Sequence, residues 1–136
     1  MNTVFYIKLY LAAFGAFLVI DLLWLGLVAR NFYQKHLGFI MAPNVNWAAA
    51  IIFYLLFILG LLIFAVVPGL QADSLGRALL LGALFGFFTY ATYDLTNLAT
   101  LKDRPLIVTV VDLIWGTVLA TSVTLASYVA GQWFLG

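Results

Sequence analysis

The chain has 136 residues, of which 66% are hydrophobic and 8% charged, with a formal net charge of +1. Soluble domains run near half apolar and about a quarter charged, and one this small has too little interior to hide so much apolar surface, so a water-soluble fold is excluded. The lack of cysteine removes disulfides, thiolate metal sites and redox thiols, and the near-zero charge offers no electrostatic footprint for nucleic acid.

The expectation is one all-α integral membrane unit over residues 1–136, built as a bundle of four transmembrane helices. Spanning about 30 Å of hydrocarbon takes roughly 20 helical residues, and four apolar runs are long enough. The first covers about 9–29. Lys8 ahead of it looks like the start of a signal peptide, but the run is too long and has no small-residue cleavage pattern before Arg30. It is read as a mature helix. The first link, Arg30 to Asn46, is the longest, and its Phe32, Tyr33, Lys35, His36 and Phe39 suit a short helix lying in the interface. The second run, 47–67, carries no charge, and Tyr54 is its main polar residue, so it is expected to be the most lipid-exposed helix. Pro68, Gly69 and Asp73 mark the second link. The third run covers 78–101. Lys102-Asp103-Arg104-Pro105 forms the third link, with Pro105 suited to a first helical turn, and the last run covers 106–134. The alternation of a membrane β-barrel is absent.

Orientation follows from the basic residues. The first and third links hold Arg30, Lys35, Lys102 and Arg104, whereas the other side holds Lys8, Arg77 and the terminal amine. This places links one and three in the cytoplasm and both termini on the non-cytoplasmic side of a multi-pass membrane protein.

Asp73 and Asp103 fall in links, but Asp21, Asp94 and Asp112 each lie inside an apolar run. Asp21 precedes Arg30 by nine residues, Asp94 precedes Lys102 by eight, and Asp112 follows Arg104 by eight. At 1.5 Å per residue, all three are roughly 12 to 14 Å from one basic rim. One layer of the bundle is therefore expected to hold three carboxyls.

Helical spacing places Trp24 on the face of Asp21 and Trp115 on that of Asp112. The third run has a stripe of Gly82, Gly86, Tyr90, Asp94 and Asn97, with Tyr93 and Thr96 beside it. The fourth has Thr109, Asp112, Gly116, Ala120, Thr124 and Ser127 on a similar stripe. Small residues let helices approach closely, so the two stripes should meet across an interior seam. A bare Asp at a helix centre costs about 2.5 to 3.5 kcal/mol, and no Lys or Arg lies within two turns on the same helices. The acids are then protonated, hydrogen-bonded to the nearby Tyr, Trp, Asn and Thr groups, or counter-ions for a proton, a hard cation or a cationic ligand. Interhelical hydrogen bonds that only fix helix register are the structural alternative.

The segments Asp21-Leu-Leu-Trp-Leu-Gly26, Tyr90-Ala-Thr-Tyr-Asp-Leu-Thr-Asn-Leu-Ala99 and Asp112-Leu-Ile-Trp-Gly116 carry a family resemblance. So do Phe32-Tyr33 and the region of Asn44. Over nearly its whole length the chain resembles the bacterial predicted membrane proteins catalogued as domain of unknown function 2177. The resemblance implies a small inner-membrane protein, whose genes often sit near those of lipid-modifying enzymes. It implies no established activity.

The preferred reading is a protein that binds or transports a proton, a cation or a small amphiphilic ligand through Asp21, Trp24, Tyr90, Tyr93, Asp94, Asn97, Asp112 and Trp115. Four helices are few for a transport path, so a homo-oligomer among membrane lipids is expected. The first alternative is a membrane enzyme acting on a lipid or isoprenoid-like substrate, with paired carboxyls as acid and base. Against it, the chain has no cysteine, no glutamate, no mid-span histidine and no metal- or cofactor-binding motif. The second is an accessory subunit of a lipid-modifying system.

Overall fold

The computed structural model describes residues 1–41 and 44–136; Ala42 and Pro43, in the first link, lie outside the described residues. Among the described residues, four helices are long and apolar enough to cross a membrane: α1 (Thr3–Val28), α3 (Trp47–Gln71), α4 (Leu75–Thr100) and α5 (Leu106–Leu135). A shorter helix, α2 (Arg30–Leu37), follows α1 and is the one expected in the first link. No strand occurs among the described residues. Helices satisfy the backbone internally, which a lipid-facing chain requires.

The helix ends depart from the sequence expectations for local reasons. Helix α1 starts at Thr3 rather than near Leu9, because the Asn2 side chain accepts a hydrogen bond from the Phe5 N–H at 2.9 Å and caps the first turn. Helix α3 does not stop before Pro68 but runs through it to Gln71. A proline lacks the N–H that would bond four residues back, and the turn just before it, Leu62–Val66, widens to π-helical geometry. Local adjustments of this kind are how membrane helices tolerate proline. The turns on either side of α4 each use an aspartate in the left-handed region, Asp73 at φ 49° and Asp103 at φ 60°. Aspartate tolerates that conformation better than most residues. Pro105 is the cap immediately before α5 and not a residue of its first turn.

The most extensive packing is α4 against α5, followed by α1 against α5. Three buried rows at four-residue spacing explain it. On α1 the row is Phe5, Leu9, Ala13, Phe17 and Asp21. On α4 it includes Ala78, Gly82, Gly86 and Asp94, and on α5 it includes Asp112, Gly116, Ala120 and Thr124. Gly82 lies against Thr124, and Gly86 against the Gly116 carbonyl and Ala120. The backbones of α4 and α5 therefore meet along their small residues.

The expectation that the second span is the most lipid-exposed is not met. Helix α3 has the highest mean hydropathy, 3.1, yet 33% of its apolar stretch is buried, against 11% for α1. Phe57, Ile58, Leu61, Ala65 and Val66 all enter the core. In a membrane an apolar side chain fits lipid and protein about equally, so hydropathy does not say which neighbour it meets. Helix α3 packs through its C-terminal half on α4, while the half beginning at Trp47 contacts chiefly α1. A space remains beside that first half.

Candidate functional site

That space is a cavity of about 520 Å³ between α1, α3, α4 and α5, within the usual range for small-molecule sites. Its polar lining comes from Asp21 and Asp112, and its walls from Trp24, Tyr33, Phe53, Tyr54, Tyr90, Tyr93 and Trp115, with Leu25, Ala49, Ala50 and Thr89. No basic side chain is among them. Both acids are placed by the rows described above: each continues a line of inward-facing residues one helical turn beyond a residue chosen for close packing, Phe17 on α1 and Gly116 on α5.

Trp24 and Trp115 stack with ring centroids 4.4 Å apart and planes 8° from parallel. The pair bridges α1 and α5 next to the acids. Tyr90 covers Gly116, which has no side chain to hold it off. Tyr93 is mostly exposed but lies under the Arg104 guanidinium, 5.8 Å from ring centroid to charge.

Two residues join the site that sequence reasoning assigned only to links. Tyr33 of α2 donates a hydrogen bond from its hydroxyl to Asp112 and accepts one from the Trp24 indole N–H at 3.4 Å. Burial, and then the bond to Asp112, push the Tyr33 phenol well above its ordinary range. Arg104 turns inward from the third link and donates from Nη2 to Asp94 Oδ1 at 2.5 Å, inside the protein. Asp94 Oδ2 and Arg104 Nε are both buried without a partner. The Asp94 carboxyl also has Asp112 as a near neighbour.

The three acids thus have different surroundings, although they share one end of the bundle. Asp94 carries its own cation and lines neither of the two cavities at this end. Asn97 also lines neither. Asp21 and Asp112 border open space and, among the described residues, have no basic partner. Arg104 had a sequence signal, a guanidinium immediately before the α5 cap, but link position alone suggested a rim anchor. A long side chain can turn back toward its own bundle when a buried carboxylate is within reach.

A second cavity, about 490 Å³, adjoins the first at the basic rim, where Arg30, Gln34, Leu37 and Arg104 line it. Leu25, Tyr33, Tyr93 and Asp112 line both.

The fold and this layer define a small multi-pass α-helical membrane protein with an aromatic, carboxylate-bearing cavity inside its spans. More particularly, the chain belongs to the predicted membrane protein family DUF2177, whose model matches residues 6–129. No match was found among curated proteins or among solved structures.

Proposed function

We propose that the protein binds a small amphiphilic ligand bearing a cationic group in the cavity between α1, α3, α4 and α5. The observation that carries this is the pairing of Asp21 and Asp112 with seven aromatic side chains and no basic one. Carboxylates in low dielectric favour an arriving positive charge, and aromatic faces attract cations, by about 2 kcal/mol or more where water is excluded. The apolar remainder of the ligand meets Phe53, Ala49, Ala50 and Leu25. The positive-inside rule puts the Arg30 and Lys102 side in the cytoplasm, so the site opens toward that leaflet of a bacterial inner membrane. With four spans per chain, passage of the ligand or of a proton across the bilayer belongs to a homo-oligomer.

The test uses the full chain in lipid nanodiscs and two probes of similar size and opposite charge, tetraphenylphosphonium and tetraphenylborate. The cation should quench the fluorescence of Trp24 and Trp115 saturably, and the anion should not. Asp21→Asn and Asp112→Asn should each weaken cation binding roughly tenfold or more, about 1.4 kcal/mol. Absence of saturable binding by the unaltered protein would sink this reading.

A further inference from the structure

The hydroxyl of Tyr33 occupies the carboxylate that the proposed ligand needs. It donates to Asp112, 79 positions further along the chain and on a different helix. Among the described residues, this is the one side-chain hydrogen bond from α2 to any helix other than α1. Little else holds α2 in place. None of its eight residues is buried, and its packing is chiefly on the last turn of α1. That last turn, Trp24–Val28, is π-helical, and Ala29 breaks the helix before α2 begins, with φ −104° and ψ −1°. The segment is a short helix on a joint, tied down at one polar point.

The tie lies where the two cavities meet. Tyr33 and Asp112 line both, together with Leu25 and Tyr93. Arg30 and Gln34, one helical turn apart, also line the rim cavity. With α2 docked, Tyr33 is the α2 residue that lines both the rim cavity and the intramembrane one. With α2 displaced, the two become continuous from the basic rim to Asp21.

We infer that Tyr33 and the bound cation compete for Asp112, so that α2 is the gate between the rim cavity and the intramembrane site. This rests on the binding reading above. A cation that reaches Asp112 takes the carboxylate lone pairs that the phenol used, and α2 loses its tether. When the ligand leaves, the hydroxyl returns and recloses the partition. A ligand with no positive charge cannot displace the phenol from the carboxylate, so Tyr33 adds charge selectivity to the cavity.

The chain has no cysteine, so one introduced at Lys35, on α2 but lining neither cavity, carries a nitroxide label that reports α2 alone. In nanodiscs without ligand the label should be immobile, and tetraphenylphosphonium should mobilise it. Adding Tyr33→Phe, which keeps the ring, should mobilise it without ligand and tighten tetraphenylphosphonium binding roughly tenfold. Asp112→Asn keeps an acceptor for the phenol, so it should lose probe binding while the label stays immobile. The gate is overturned if tetraphenylphosphonium quenches the tryptophans but Tyr33→Phe changes neither affinity nor label mobility; the cavity reading then survives. If the unaltered protein binds no probe, the cavity reading fails instead. Label mobility in ligand-free Tyr33→Phe still decides whether Tyr33 is the latch.

Discussion

Arg104 reaches back from the link after α4 to Asp94, ten positions earlier, and places Nη2 2.5 Å from Oδ1 with side-chain exposures of 3% and 0%. A link residue thereby neutralises an acid inside the bundle and fixes how α4 turns into α5. Removing one member of a buried pair leaves the other charge uncompensated, at about 3–5 kcal/mol, whereas replacing both with apolar groups is often neutral. Arg104→Gln should therefore lower the unfolding temperature in detergent far more than Arg104→Met combined with Asp94→Leu. Equal losses in the single and double variants would show that the pair is not what stabilises this corner.

The α4–α5 seam gives a second prediction. A side chain at Gly86 would enter the Gly116 carbonyl and Ala120, both part of the opposing helix. Overpacking of this kind costs about 1–3 kcal/mol or more. Gly86→Val should destabilise strongly in a thermal melt. Gly15→Ala, where nothing stands within 4 Å, should not.

The stacked indoles should be visible by circular dichroism. Of the four tryptophans, only Trp24 and Trp115 are in ring contact with each other. Their coupled transitions should give a paired band that disappears in either Trp24→Phe or Trp115→Phe. It should persist in Trp133→Phe, since that side chain is 79% exposed.

Tyr33 gives a pH prediction. Its pKa in the folded protein is raised above the ordinary 10.0 by burial and by Asp112. A group raised on folding contributes stability that is complete below the unfolded value and is lost as pH rises through the folded one. Between about pH 10 and 11 the Tyr33 phenol should stay protonated while an ordinary tyrosine ionises. Ultraviolet difference titration of Tyr33→Phe against the parent should show no lost tyrosinate signal in that window.

Much of the site could be read from spacing. Asp21, Asp112, Trp24 and Trp115 lie three apart in two pairs, and helix geometry puts each pair on one face, where the structure has both acids and both indoles lining one cavity. Gly82 and Gly86 announced the close seam for the same reason. The partners of the acids were not legible. Counting Lys and Arg within two turns on the same helices missed Arg104, because its side chain approaches Asp94 from beyond the end of α4. Tyr33 was read as one of several interfacial aromatics, and nothing local distinguishes it from Phe32.

Composition and period determined the class by themselves: four apolar helices, because lipid leaves the backbone no other way to pair, with acids at a common depth, because rise per residue is constant. Only the tertiary structure decided which acid is neutralised and which faces open space. That depends on which helices pack against which, and on the direction in which two link residues, Tyr33 and Arg104, turn. Each of these is set by packing between segments distant in the chain, which sequence period does not encode.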